Sequence, residues 1–207
     1  MMTQFRLVLA STSPSRRELL ARLGLPFETA APRFEERSPS TEPIAPEVVR
    51  ALVLDNARGK AQSLRAEFPD ALILASDQLG ECEGRVLGKP QSVEAAVAQL
   101  RFLAGREHRL HTAVVLLDCR EGSIEAEVVT NRLMIRELPE AALRRYVELE
   151  PPLHAAGSYI SEGLGIALFS YLRGDDPTAI VGLPLVATCR LLEQAGVSPL
   201  SSEPEER

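Results

Sequence analysis

Cysteines are few in this sequence, and they stand far from one another. The chain of 207 residues has three, none of which belongs to a CxxC pair: Cys82, Cys119 and Cys189. Small disulfide-stabilised domains carry an even and dense set of cysteines, which this chain does not have. We therefore expect all three thiols to be reduced.

Long apolar runs are missing as well. No run in the sequence approaches the roughly 18 residues that a membrane-spanning helix needs. The apolar stretch near the N-terminus covers only residues 7–10 and leads into Arg16 and Arg17, without the cleavage pattern of an export signal. We expect a cytoplasmic protein without a membrane partner.

Excess positive charge is also absent. Lysine and arginine total 23 against 29 aspartates and glutamates, which gives a formal net charge of −6. A protein that binds polynucleotides non-specifically needs a broad basic face, so this balance argues against a polynucleotide partner. A small nucleotide stays compatible with it, because a local basic cluster and a metal ion can offset the charge of the phosphates.

The composition is otherwise that of an ordinary globular protein, with 45% apolar and 25% charged residues. We expect a single domain over residues 1–200 and a disordered polar tail over 201–207. The apolar patterning predicts an α/β fold in which helices flank a mixed central sheet. Strands are predicted at 5–10, 71–76, 108–117, 124–135 and 166–172, and helices at 14–23, 46–67, 92–103, 139–149 and 184–194.

Two of the predicted strands end in polar residues that suit a ligand. Residues 10–17 (ASTSPSRR) lead from the first strand into a helix, whose free N–H groups and Arg16 favour an anion. Asp77 follows the second strand directly, where it could hold a metal, act as a general base or cap the next segment. Ligands of such sheets bind outside the carboxyl ends of the strands, so both segments are candidates for one site.

Other candidates are charged residues in loops and on the long helix. Glu36 belongs to an acidic pair (FEER) and could join Asp77 in an oxygen-rich Mg²⁺ site. Lys60 and Lys89 are the only two lysines of the chain. Glu162 lies in a glycine-rich segment, GSYISEGLGIALF, which is not a Walker loop.

The histidines are poor candidates for a metal site. His108 and His111 are three residues apart in a predicted strand, so their side chains should point to opposite faces of the sheet. That spacing is wrong for joint metal ligation. His154 lies near two prolines and is predicted to be in a surface loop.

Taken together and in this order, the segments resemble the Maf family of nucleoside triphosphate pyrophosphatases over about residues 5–195. The motifs that carry the resemblance are ASTSPSRRELLARLGLPFE, FEER, GKAQSL, ASDQ, LGKP, GSYISEGLGIALF and VGLPL. The branch assigned to 7-methyl-GTP is the more similar, because of the Asp77–Gln78 dipeptide, the run Ser161–Glu162–Gly163, and the runs DPTAIVGLPL and PLHAAGSY. The pyrimidine branch typically has Asp–Thr and Gln–Gly at the matching places.

The resemblance implies an α/β fold with two lobes around a cleft, similar to inosine triphosphate pyrophosphatase, and commonly a homodimer. It implies hydrolysis of the α–β phosphate bond of a nucleoside triphosphate, which gives a monophosphate and pyrophosphate. It also implies a divalent cation, Mg²⁺ or Mn²⁺, as cofactor.

The family's site residues can be carried onto matching positions of this chain. Ser11 and Arg16 would hold the phosphates, and Lys60 and Lys89 would neutralise their charge, so that Arg16 and the two lysines would be catalytic residues together with Asp77. Metal binding would fall to Glu36 and Asp77, and Asp77 would also be the proton acceptor. The positions linked to base choice are Ser15, Gln78 and Glu162. Ser15 departs from the pattern, since the 7-methyl-GTP branch often has an aromatic residue there and the pyrimidine branch an arginine.

Glu162 has a chemical reason to favour guanine. The Watson–Crick edge of guanine offers two adjacent N–H donors, and a carboxylate can accept both. Two alternative functions stay open: the same reaction on dTTP- or UTP-type nucleotides, and a non-catalytic nucleotide-binding regulator of cell division. Gln78 and Glu162 disfavour the first alternative, and the full set of charged residues speaks against the second.

Overall fold

The computed structural model describes residues 5–39 and 43–200, and the predicted tail over 201–207 lies outside these ranges. Within them the chain forms seven strands in one sheet. The strands are β1 (Leu7–Ala10), β2 (Glu28–Ala30), β3 (Leu72–Cys82), β4 (Arg85–Leu87), β5 (Glu107–Asp118), β6 (Ser123–Ile135) and β7 (Phe169–Arg173). The α-helices are α1 (Pro14–Ala21), α2 (Pro46–Gln62), α3 (Val93–Leu103), α4 (Glu140–Leu149) and α5 (Leu185–Gln194).

The sheet is mixed, which confirms the predicted fold class. Its strand order is β2-β1-β3-β5-β6-β7, and β4 pairs with the far end of β3. β1 runs parallel to β2 and β3, whereas the other pairs are antiparallel. The sequence prediction missed β2, because three residues are too few to show an alternating pattern. It also began the last strand too early, since residues 164–168 form a 3-10 turn before β7.

Two of the helix starts follow capping residues that the sequence offers. The Ser13 hydroxyl accepts from the backbone N–H of Arg16 at the start of α1, and Pro14 takes the first helical position. The Ser92 hydroxyl accepts from the N–H of Ala95 in α3. These two caps fix where α1 and α3 begin.

The strand predicted at residues 71–76 extends to Cys82 in the structure, and its greater length corrects the placement of Asp77. Asp77 lies inside β3 rather than after it, because β3 continues along β5 with an unbroken register from Leu72 to Glu81. On its other side, β1 pairs only with residues 72–74 and β4 only with residues 80–82. Among the described residues, 75–79 thus have no strand beside them, and we call this stretch the open edge of β3.

Three apolar clusters divide the molecule into two lobes. At one end of the long strands, α1 and α5 cover one face of the sheet and α2 covers the other. At the other end, α3 and α4 pack on the far parts of β5 and β6. Between the clusters the long strands carry polar or ionisable residues that are mostly buried: Ser76, Asp77, Gln78, His111, Thr112 and Asn131. Such side chains do not serve apolar packing, so they mark the region where a ligand could bind.

No helix in the described part of the chain is both long and apolar enough to cross a bilayer.

The two strand histidines face opposite sides of the sheet, as their spacing predicted. A ring nitrogen of His108 lies 3.0 Å from the Tyr159 hydroxyl, and one of His111 lies 2.9 Å from the Thr130 hydroxyl. Both rings are buried, and this burial lowers the pKa of each histidine to about 4.

Acidification should destabilise the fold through these two rings. The folded chain holds their pKa at about 4, whereas the ordinary value is 6.5, so the unfolded chain binds protons first as the pH falls. The stabilisation is therefore complete above pH 6.5 and is lost progressively between pH 6.5 and 4. Denaturant unfolding at pH 7 and pH 4.5 should differ by about 2–3 kcal/mol for each histidine.

The matched control is the exposed His154. His108→Gln and His111→Gln should each flatten the pH dependence of the unfolding free energy, and His154→Gln should leave it as in the wild type. An unchanged slope in the double variant of His108 and His111 would rule out this assignment.

Candidate active site

The connections around β1 leave to opposite faces of the sheet, and we call the region between the start of α1 and the open edge of β3 the crevice. α1 leads from β1 to β2 and packs on one face of the sheet, while α2 precedes β3 and packs on the other face. Where consecutive connections leave to opposite faces, the ends of the neighbouring strands are left uncovered.

Three charged side chains meet at this edge, and we call Glu36, Lys60 and Asp77 the charged cluster. The Lys60 Nζ atom lies 2.6 Å from Asp77 Oδ1 and 2.6 Å from Glu36 Oε1. The side chains of Lys60 and Asp77 are each 5% exposed, whereas that of Glu36 is 53% exposed. The cluster thus has a buried base formed by Asp77 and Lys60, with Glu36 at its mouth.

Asn56 completes the cluster, and sequence reasoning missed it. Its amide nitrogen donates to Asp77 Oδ2 at 3.1 Å and to the carbonyl of Arg37 at 3.0 Å, and its oxygen accepts from the N–H of Arg37. Asn56 therefore fixes both the acidic loop and the Asp77 carboxylate. The sequence did contain one indication of its role: Asn56 stands four residues before Lys60, which places both side chains on one face of α2.

Arg16 and Lys89 extend the positive charge around Glu36. Burial alone would raise the pKa of Glu36, but the hydrogen bond and charge of Lys60, together with Lys89 and Arg16, lower it below its usual value. Lys89 is itself exposed, in the loop that follows β4. Three cationic side chains therefore stabilise the charged form of Glu36, one on α1, one on α2 and one in the loop after β4.

The side chain of Arg16 is held by a backbone carbonyl of the segment that precedes α5. Its Nε donates to the carbonyl of Gly182 at 2.9 Å, and the Ser76 hydroxyl lies 2.8 Å from the same oxygen. Burial lowers the pKa of the Arg16 guanidinium, while Asp77 and Glu36 act in the opposite direction. An arginine stays charged under such conditions, so Arg16 brings a fixed cation to the crevice.

The two predicted serines lie at the start of α1. Ser11 is buried, and its hydroxyl accepts from the N–H of Ser13 at 3.1 Å. Ser15 lies in the first turn of α1 and is partly exposed.

Gln78 does not join the charged cluster. Successive residues of a strand face opposite sides, so Gln78 points away from Asp77. Its amide nitrogen lies within hydrogen-bond distance of the carbonyls of Ala179 (2.8 Å) and Ile180 (3.1 Å) and of the Thr112 hydroxyl (3.0 Å). Gln78 thereby holds the short 3-10 segment Pro177–Val181 against the sheet.

Glu162 lines a separate cavity of about 210 Å³, which we call the Glu162 cavity. Asn131, Arg173 and Ile180 also line it, and the Ser161 hydroxyl donates to Glu162 at 3.1 Å. No contact joins Glu162 to the charged cluster among the described residues. The link is indirect: Ile180 lines the cavity, and its carbonyl accepts from Gln78, the neighbour of Asp77 in β3.

The donor set of the charged cluster fits a hard divalent cation. Within residues 5–39 and 43–200, no group of three or more histidine, cysteine or acidic side chains is arranged to hold a metal. Mg²⁺ needs no such group, because it commonly takes one or two carboxylates and completes its shell with substrate phosphates and water. Glu36 and Asp77 supply two carboxylates that face one another across a single nitrogen atom.

Comparison with known proteins identifies relatives of similar length. The chain is similar to the 7-methyl-GTP pyrophosphatase of Syntrophotalea carbinolica, with 46% identity over 198 residues that cover 95% of this chain and 98% of that protein. It is also similar to the 7-methyl-GTP pyrophosphatase of Cupriavidus pinatubonensis, with 47% identity over 191 residues that cover 92% of this chain and 94% of that protein.

Among solved structures, the Staphylococcus aureus Ham1 protein aligns with a TM-score of 0.44 and 16% identity, over 64% of this chain and 72% of that chain. The Maf-like protein family matches residues 6–195, which is nearly the whole sequence. With this match and the two relatives above, the chain belongs to the Maf-like protein family.

Proposed function

We propose that this chain is a nucleoside triphosphate pyrophosphatase that hydrolyses the α–β phosphate bond of 7-methyl-GTP or a related modified nucleotide. The observation that carries the proposal is the charged cluster at the open edge of β3, with Arg16 and Lys89 beside it. The names of two relatives that align along nearly the whole chain support the same substrate. The products would be the monophosphate and pyrophosphate.

The cations of the crevice would bind the triphosphate. Lys60 has three N–H donors, of which two point to Glu36 and Asp77, so one is left for a phosphate oxygen. Arg16 is anchored through Nε and keeps its other guanidinium nitrogens for phosphate. The start of α1, with Ser11 and Ser15, adds hydroxyl groups and backbone N–H groups to the same end of the crevice.

Asp77 would accept the proton of the attacking water. The water attacks the α-phosphorus in line with the leaving pyrophosphate, and its proton passes to the Asp77 carboxylate. Asn56 holds one oxygen of that carboxylate and Lys60 the other, so its orientation is fixed before the substrate binds. The Lys60 contact must weaken as Asp77 takes up the proton, because a neutral carboxyl group binds an ammonium less strongly than a carboxylate does.

Glu36 and Asp77 would hold a divalent cation, Mg²⁺ or Mn²⁺. When bound, such a cation offsets the negative charge of the triphosphate and of the transition state. Glu36 is suited to this task because its half-exposed carboxylate lies where solvent and phosphate can both reach it.

Glu162 would select the base. In the Glu162 cavity its carboxylate can accept from the two adjacent N–H groups of guanine, an edge that pyrimidine nucleotides do not present. Ser15 cannot stack on a cationic 7-methylguanine ring as an aromatic residue would. Base selection would therefore depend on hydrogen bonds in the cavity rather than on stacking at position 15.

A homodimer is part of the same proposal, because the family resemblance implies it, and so is the cytoplasmic location expected from the short apolar runs and the reduced cysteines. Analytical ultracentrifugation of the full chain at micromolar concentration tests the dimer, and a single species at the 22.6 kDa of the monomer would exclude it.

Asp77→Asn should strongly reduce turnover, because it keeps the size of the side chain but removes its charge. The substitution removes the proton acceptor and one partner of Lys60, so kcat/KM for 7-methyl-GTP with Mg²⁺ should fall by about 10²- to 10⁴-fold. The readout is pyrophosphate release, measured separately from single phosphate release. Asp55→Asn, at an exposed position of the same α2 helix that carries Lys60, is the matched control and should keep full activity.

The non-catalytic alternative makes a different prediction in the same assay. A regulator would bind the nucleotide in a calorimeter but release no product, in the wild type as well as in the variants. Turnover by Asp77→Asn at the wild-type rate would exclude Asp77 as the proton acceptor.

Glu162→Gln should specifically weaken the binding of guanine nucleotides. Glutamine turns one acceptor into a donor that faces an N–H of guanine, which should cost about 1–3 kcal/mol in transition-state binding. The measurement is kcat/KM for 7-methyl-GTP and UTP in both proteins, with exposed Glu148→Gln on α4 as the control. If the ratio of kcat/KM for 7-methyl-GTP to kcat/KM for UTP is the same in the wild type and in the variant, Glu162 does not select the base.

A further inference from the structure

Glu162 is a central residue of a short backbone turn. The backbone N–H of Gly163 donates to the carbonyl of Ile160 at 3.2 Å, which closes the turn over residues 160–163. Glu162 is exposed, and the hydroxyl that it accepts from belongs to Ser161 in the same turn. The bonds inside a turn fix only its own shape. The position of Glu162 relative to the sheet must therefore come from whatever holds the two ends of the turn.

Both ends are held by side chains at the last turn of α4. The Tyr146 hydroxyl accepts from the N–H of Ile160 at 2.9 Å, at the start of the turn. The two carboxylate oxygens of Glu150 accept from the N–H groups of Leu164 (3.1 Å) and Gly165 (3.0 Å), directly after the turn. The Glu150 N–H donates to the Tyr146 carbonyl, so the two residues belong to one turn of helix.

The helix that supplies these side chains is firmly packed. Tyr146 is 4% exposed, and Leu143 and Val147 on the same helix are fully buried in the cluster that covers the far parts of β5 and β6. Burial raises the pKa of the Tyr146 hydroxyl, and the charge of Glu150 acts in the same direction. The hydroxyl therefore stays neutral, and α4 links the turn to the core of the second lobe.

The Glu150 carboxylate also supplies a cap that the segment after the turn lacks. The 3-10 segment Leu164–Leu168 begins after Gly163, which has no side chain to accept from the first N–H groups. Glu150 accepts from two of them in its place. The contact is close, because a Cβ added at Gly163 would collide with Glu150 Oε1. The backbone beside Glu162 thus lies directly against the Glu150 carboxylate.

We propose that Glu150 and Tyr146 are positioning residues for base selection: they fix the turn so that the Glu162 carboxylate meets the edge of guanine in the Glu162 cavity. The proposal rests on the proposed function and deepens it, since it names the residues through which the fold sets the base preference. Both act through Glu162. Their loss should therefore lower the preference for guanine and leave the charged cluster as it is.

Glu150→Ala tests the proposal through the base preference. The variant loses both acceptors, so the ratio of kcat/KM for 7-methyl-GTP to kcat/KM for UTP should fall about tenfold, while kcat/KM for UTP stays near the wild-type value. Glu150→Gln keeps one acceptor and should give an intermediate ratio. Glu148→Ala, at an exposed position of α4, is the matched control and should keep the wild-type ratio. An unchanged ratio in Glu150→Ala would overturn the proposal.

A double-mutant cycle with Glu162→Gln separates positioning from a general effect on the fold. If Glu150 acts through Glu162, adding Glu150→Ala to the Glu162→Gln protein should change the ratio no further. If the two effects multiply instead, Glu150 acts independently of Glu162, and its positioning role is wrong.

Tyr146→Phe tests the other end of the turn and keeps the buried ring. It removes only the hydroxyl that holds Ile160, so it should lower the same ratio. Tyr171→Phe is its matched control, because it removes a hydroxyl that donates to Glu107 on the sheet. Tyr146→Phe decides the question if Glu150→Ala fails to fold in a thermal unfolding assay, and a wild-type ratio in it would then count against the proposal.

Calorimetric binding of 7-methyl-GMP and UMP separates this proposal from the proposed reaction. A preference for 7-methyl-GMP that falls in Glu150→Ala supports the positioning role even if no triphosphate is turned over. A wild-type preference that Glu150→Ala retains overturns that role even if 7-methyl-GTP is hydrolysed. Equal binding of both monophosphates by the wild type also overturns it, whereas pyrophosphate release would still support the reaction.

Discussion

The arrangement of this molecule depends on one buried cation, the Lys60 ammonium held between Asp77 and Glu36. A charge removed from water is tolerated only when it is paired and hydrogen-bonded, and removing one partner of such a pair typically costs about 3–5 kcal/mol. Lys60 lies on α2, Asp77 on β3 and Glu36 in the loop between β2 and α2. The cluster therefore joins three elements of the fold, and it does so with the groups that a triphosphate and a cation would need.

The open edge of β3 explains why these charges can be both buried and reachable. A long strand that pairs along its whole length on one side with β5 is rigid, and on the other side it lacks a neighbour only at residues 75–79. The backbone there is therefore positioned by β5 while the side chain of Asp77 stays next to the crevice. Had β1 continued for a few more residues, it would have closed this edge.

The sequence predicted the large elements and, through the family resemblance, named the three residues of the charged cluster, but it did not predict which way some side chains point. The β5–β6 hairpin could be predicted because two long runs rich in apolar residues flank Gly122, whose φ of 74° suits the turn. Asp77 was assigned to a strand end because the apolar run stops at Ser76, whereas pairing with β5 carries the strand onward. That error hid the opposite orientations of Asp77 and Gln78. Asn56 was missed because a single asparagine in a helix has no local pattern, and only its tertiary contacts give it a role.

The segment from Asp176 to Gly182 connects the two halves of the proposed site. At one end, the carbonyl of Asp176 orients Asn131 beside the Glu162 cavity. In the middle, the carbonyls of Ala179 and Ile180 are held by Gln78, and at the other end the carbonyl of Gly182 receives Arg16. A nucleotide spans only a limited range of distances between its base and its phosphates, so the two ends of a site that binds it must be held at a matching separation. This segment meets that requirement, since hydrogen bonds fix it to β3 and β6 and to the side chain of Arg16 at the start of α1.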